Sequence, residues 1–118
     1  MSGELLYHIT TEQEWRAAEA RGEYLPKGYI ADGFIHASFY RQLKQTADLF
    51  FAAHSKVIVL EIDADLLGCV VKVENTTGGT ELFPHLYGEL PVAAVTGTFL
   101  IENDERKGFV IPPAAGIG

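Results

Sequence analysis

The sequence predicts an α+β fold with its helices early and its strands late. Three observations carry that expectation. Both segments with helical periodicity end before residue 55, strand-like segments crowd the second half, and no glycine-rich nucleotide-binding fingerprint follows a strand. A doubly wound parallel sheet alternates strand and helix throughout, and this chain does not.

Taken in order, Leu5-Leu6-Tyr7-His8-Ile9 reads as a short first strand, apolar apart from His8. Thr11 and Glu14 have capping-box spacing, so a helix starts at Glu12, buries Trp15 and Ala18, and stops near Arg21 at Gly22. Residues 23–32, with Pro26 and Gly28, are expected to form an ordered loop. Gly33-Phe34-Ile35-His36-Ala37 reads as a second strand, and Ser38 is placed to cap a second helix. In that helix Leu43, Ala47, Phe50 and Phe51 recur at the spacing of a core-facing stripe.

Lys56-Val57-Ile58-Val59-Leu60-Glu61-Ile62-Asp63 is the strongest strand, and its near-continuous apolar run places it at the centre of a sheet. Val70 to Glu74 reads as a strand, residues 75–80 as a turn and residues 83–88 as a loop. Strands are expected over residues 92–101 and 108–111. One domain over residues 1–111 and a flexible tail over 112–118 complete the expected organisation.

Composition narrows the function. The net charge is −7, and the few cations are scattered apart from Arg106-Lys107, which disfavours nucleic acid as a partner. No apolar run approaches the roughly 18–20 residues of a membrane span, and the N-terminus lacks a signal-peptide pattern, so the cytoplasm is the expected location. Cys69 is the single cysteine and lies in an apolar run, as expected of a buried, unreactive thiol. No nucleophile elbow is present, and the histidines lack metal-binding spacing, so no metal is expected.

Candidate chemistry lies in three histidine segments: Tyr7-His8-Ile9-Thr10, Phe34-Ile35-His36-Ala37-Ser38 and Phe83-Pro84-His85-Leu86-Tyr87-Gly88. The first two each place a hydroxyl, Thr10 or Ser38, two residues after the imidazole and so on the same strand face. Such a pair suits a polar ligand such as a ribose, because both groups donate and accept. Taken singly, a strand histidine is more often a satisfied structural residue. The third segment reads equally as a rigid loop covering the core and as an aromatic wall for a planar ligand. His54, at the expected end of the second helix, reads as structural.

These three motifs, with Trp15 between the first two, resemble the signature of a bacterial family of small proteins, domain of unknown function family 952, over about residues 5–95. That family is grouped with the ADP-ribosyltransferase superfamily, near the NAD-consuming RNA 2′-phosphotransferases. His8-Ile9-Thr10, Ile35-His36-Ala37-Ser38 and Glu61-Ile62-Asp63-Ala64 resemble motifs of those enzymes. The resemblance implies an ADP-ribosyltransferase-like split β-sandwich, with NAD (as cofactor or substrate) or another ADP-ribose-containing small molecule in its cleft. It implies that His8 and Thr10 hold the adenosine-side ribose. His36 and Ser38 then line the nicotinamide end, and His85, Tyr87 and Phe83 close the site.

His36 and His85 are the residues this resemblance makes catalytic, in ADP-ribosyl transfer or NAD hydrolysis. The departures bear on that reaction. No cation precedes His36 in Tyr29-Ile30-Ala31-Asp32-Gly33-Phe34-Ile35, and neither Glu81 nor Glu89 matches a family carboxylate. Nicotinamide cleavage develops positive charge that calls for a nearby carboxylate. The alternative is a non-catalytic module on the same fold that senses a ligand or binds a protein.

Overall fold

The computed structural model describes residues 4–26, 29, 32–75 and 79–113. These form an α+β structure of curled antiparallel sheets with helices α1 (Glu12–Arg21) and α2 (Leu43–Phe50). The strands are β1 (Leu5–Thr10), β2 (Glu23–Tyr24), β3 (Ile35–His36), β4 (Lys56–Asp63), β5 (Val70–Glu74), β6 (Phe83–Tyr87), β7 (Leu90–Pro91), β8 (Val95–Asp104) and β9 (Gly108–Phe109). Their orders are β1-β4-β8-β9 in one sheet, β3-β6-β5 in a second and β2-β7 in a short ribbon.

The first helix is set locally. Thr11 Oγ1 accepts the Glu14 N–H at 3.2 Å, and Gly22 closes the helix in the left-handed region at φ 89°, its N–H bonding Ala18 O at 2.8 Å. The Glu14 carboxylate does not complete a capping box; it accepts from the Thr10 hydroxyl at 3.3 Å instead. Trp15 and Ala18 are buried as expected.

Strand β4 is central, between β1 and β8, and both of its faces are covered. Ile58, Leu60 and Ile62 pack with Leu6, Trp15, Ile35 and Leu86, while Val57 and Val59 pack with Tyr7, Ile9, Leu43 and Ala47 beside α2. Each such side chain contributes roughly 1.5–3 kcal/mol by leaving water. Two-sided burial is why the strand reads as an unbroken apolar run.

Several elements differ from the sequence expectation. Residues 83–87 are not a loop but β6, the middle strand of its sheet, with His85 opposite both His36 and Lys72. Pro84 is tolerated because its carbonyl, and therefore its missing N–H, points toward the β3 side. There it accepts the Ala37 N–H at 2.9 Å, and regular pairing with β3 ends at His36. Residues 92–94 form a 3-10 turn, with the Val92 N–H on Gly22 O at 3.1 Å, and β8 follows from Val95 to Asp104. The expected loop after Gly22 begins with β2, paired to β7. The last strand is confined to Gly108 and Phe109.

Ser38 does not cap the second helix. Phe39 occupies the cap of a 3-10 turn (Tyr40–Gln42) and gives its N–H to Gln42 Oε1 at 2.9 Å, whereas Ser38 is buried with its hydroxyl 3.2 Å from Thr46 Oγ1. Leu43 and Ala47 are buried, but Phe50 is 60% exposed at the helix end. The expected turn at 75–80 and the tail at 112–118 lie partly outside the described residues; Pro112 and Pro113 are exposed.

Gly88, just after β6, is required by a close approach. A Cβ there would stand 2.4 Å from the Cβ of Cys69, which is partly buried. Gly88→Ala is expected to cost about 1–3 kcal/mol by overpacking, read as a lower urea midpoint. Cys69→Ala keeps the offending Cβ and is expected not to rescue it.

Candidate functional site

The segment 35–38 brings the histidines together. At one end it pairs with β6, setting His36 opposite His85. At the other Ser38 bridges to β1, with the Tyr7 N–H on Ser38 O at 2.9 Å and the Ser38 N–H on Tyr7 O at 2.7 Å. One extended segment thus joins two sheets and places all three histidine motifs side by side.

His36 and His85 form a direct imidazole pair, Nδ1 of His36 lying 3.3 Å from Nε2 of His85. His85 is 1% exposed, and its Nδ1 lies 2.9 Å from Glu74 Oε2. The same carboxylate oxygen accepts the Tyr87 hydroxyl. These two hydrogen bonds hold the Glu74 carboxyl below the usual carboxylate range, that from Tyr87 first. The Phe34 ring stacks on His85 with centroids 4.1 Å apart, while Phe83 and Phe50 pack against His36 at 5.1 and 6.1 Å. Lys72 lies over the Tyr87 ring at 4.9 Å.

Burial lowers the His36 pKa to about 4, and the charges of His85 and His8 push the same way against a smaller opposing effect of Asp32. The imidazole is therefore neutral at physiological pH. Its Nε2 is shielded from water and has no hydrogen-bond partner among the described residues. Leaving a buried acceptor unpaired costs about 1–3 kcal/mol, and such groups are few in native proteins.

His8 is engaged at both nitrogens. Its Nδ1–H donates to the His36 carbonyl at 2.6 Å, leaving Nε2 to accept from the Tyr24 hydroxyl at 2.9 Å. Burial lowers this imidazole to about 4 as well, against the opposing pull of the His36 carbonyl. It also pushes the Tyr24 phenol up to about 12, so that group stays a donor. The Tyr24 oxygen also lies 2.9 Å from Thr10 Oγ1; with the Tyr24 proton on His8, the single Thr10 proton is shared between Tyr24 and Glu14.

Of the residues singled out in the sequence, the structure gathers His36, His85, Phe83 and Tyr87 into one cluster. His8 and Thr10 attach to it through the His36 carbonyl and Tyr24. Ser38 turns away to Thr46. Glu74 and Tyr24 were not singled out. The signal for Glu74 is the turn the sequence predicts after it; β5 pairs antiparallel with β6 and sets Glu74 opposite Phe83, one side-chain step from His85. Glu81 instead binds Arg41 at 2.6 Å and Gln42 at 2.9 Å.

The imidazoles do not line either of two clefts on the surface. A cleft of about 410 Å3 lies between Tyr40, Arg41, Lys44 and residues 107–113, and one of about 150 Å3 lies beside Trp15. No group of three metal-ligating side chains suited to a metal occurs among the described residues. No helix among them is long and apolar enough to cross a membrane.

The class so defined is an antiparallel α+β protein with a glutamate–histidine–histidine relay on one sheet. The chain belongs to the protein family of unknown function DUF952, whose profile matches residues 9–98. It is similar to protein CC0527 from Caulobacter crescentus, a structural-genomics target. The CC0527 crystal structure is 35% identical over 91% of this chain and 94% of that one, with a TM-score of 0.80. Its solution structure is 36% identical over 88% and 90%, with a TM-score of 0.75. Among curated proteins none matches the chain.

Two outcomes test this geometry. Unfolding returns His8 and His36 from about 4 to the ordinary value of 6.5, so between those values the unfolded chain binds more protons than the folded one. Stability is then full above about pH 6.5 and is lost as the pH falls toward about 4. Urea midpoints are expected to fall through that window, and less steeply in His8→Gln; a midpoint independent of pH contradicts neutral buried imidazoles. Tyr24→Phe keeps the ring but strands His8 Nε2, for an expected loss of about 1–3 kcal/mol by denaturant unfolding.

Proposed function

We propose that this chain is an ADP-ribosyltransferase-like protein that binds NAD or another ADP-ribose-containing small molecule against the aromatic face around His36. One observation carries the reading: the buried, neutral Nε2 of His36 has no partner among the described residues. A bare acceptor between aromatic rings suits a ligand that offers a hydroxyl and a flat apolar surface, as a nucleoside does. The split-sandwich relationship implied by the three motifs supplies the ligand class. His36 forms the part of the site facing the ligand, with Phe83 and Tyr87 as its walls, while His85 holds it from one side and His8 and Thr10 support it from behind.

Binding is better supported than turnover. The Glu74 carboxylate is turned toward His85 and Tyr87, so its charge is not presented to a developing oxocarbenium centre. A second reading, docking of a protein partner, is favoured by the exposed apolar side chains that flank the site: Leu49 at 72%, Phe50 at 60% and Leu82 at 50%.

Thermal unfolding with NAD, ADP-ribose and nicotinamide separates these readings. Ligand at 100 times its Kd stabilises by about 2.7 kcal/mol, several degrees for a domain of this size. A rise in Tm with NAD or ADP-ribose that disappears in His36→Ala is expected. No rise with any of the three overturns the nucleotide reading, and nicotinamide release from bound NAD would show turnover.

A further inference from the structure

The imidazole relay has a direction, and the carboxylate at which it starts sets it. A carboxylate accepts hydrogen bonds and donates none. Glu74 Oε2 therefore takes both the Tyr87 hydroxyl proton and the Nδ1–H of His85, the latter at 2.9 Å. In its neutral form His85 then offers a lone pair at Nε2, 3.3 Å from His36 Nδ1, and in that form His36 donates from Nδ1. What is left at the far end is the bare Nε2 of His36, out of contact with water and without a partner among the described residues.

We infer that Glu74 is a positioning residue which, acting through His85, locks His36 in the tautomer whose Nε2 accepts a hydrogen bond from a sugar hydroxyl of the ligand. The ligand side of this statement rests on the nucleotide reading above. The tautomer side rests only on the two distances and the proton count for neutral imidazoles. The chemistry of that nitrogen selects among ligand groups. A phosphate oxygen would set acceptor against acceptor, whereas an uncharged hydroxyl satisfies Nε2 without bringing a charge against the rings of Phe50 and Phe83. Glutamine is the informative replacement at position 74 because it keeps the shape but both donates and accepts. When its amide donates to His85 Nδ1, every bond of the relay reverses and the proton appears on His36 Nε2.

Two-bond proton–nitrogen NMR spectra of the full chain labelled with 15N-histidine distinguish bare from protonated ring nitrogens at neutral pH. The unliganded wild type is expected to show His36 with Nδ1 protonated and Nε2 bare. Glu74→Gln is expected to move the His36 Nε2 signal toward the protonated range while leaving the Tm nearly unchanged. A wild-type His36 protonated on Nε2 overturns the inference. The wild-type spectrum decides even where the variant folds poorly. ADP-ribose is then added to the wild type and is expected to shift the Nε2 signal. Should the tautomer be as stated and ADP-ribose leave that signal in place, the nucleotide reading falls and the relay stands. A reversed tautomer removes the relay whatever ADP-ribose does.

Discussion

The site depends on a four-residue segment, 35–38, that hydrogen-bonds to two sheets at once. Its first half pairs with β6 and its last residue bridges to β1. Extended chain rises only about 3.3 Å per residue, so the two anchor points hold the edges of the two sheets close. His8, His36 and His85, which are 28 and 49 residues apart in the chain, therefore meet. Shifting this segment by one residue would exchange its faces, sending Ile35 out of the core and His36 into it. The packing of Ile35 with Leu6, Leu60 and Leu86 opposes that slip.

Within the cluster, burial and hydrogen bonding act in opposite senses on neighbouring groups. Burial disfavours charge on His8 and His36, while two donors stabilise it on Glu74. The result is one fixed anion at Glu74 and neutral rings at His36 and His8. Folded proteins pair nearly all their buried polar atoms, and departures from that rule concentrate where function is. The unpaired nitrogen of His36 is such a departure in a region whose other polar groups are satisfied by short contacts. Its aromatic surround strengthens any hydrogen bond made there, because little water competes.

The family and the CC0527 structures match most of the chain, so the relay belongs to a fold whose backbone is shared. The larger surface cleft lies beyond α2 and is lined by Arg41, Lys44 and Lys107, but these cations are partly committed to the protein itself. Arg41 pairs with Glu81 at 2.6 Å, and Lys44 holds Asp48 and two backbone carbonyls between 2.5 and 3.2 Å. The histidine face has the opposite character, with an unsatisfied polar atom and exposed aromatic surface beside it.

Sequence by itself determined what depends on short-range periodicity and capping. The α+β class, α1 from Thr11 to Gly22, the two-faced burial of β4 and the three histidine motifs as places of interest all follow from patterns within about ten residues. It did not determine β6, because Pro84 hid a strand whose missing N–H falls where the ladder with β3 ends. Nor did it determine Ser38, whose local capping role lost to a buried hydroxyl pair with Thr46. The histidines were legible one by one, but their roles were not. Tertiary structure alone decided that His8 saturates both nitrogens inside the protein, that Glu74 rather than Glu81 or Glu89 meets His85, and that His36 keeps a bare nitrogen. Those outcomes depend on register and on pairing between distant segments, and no local pattern encodes either.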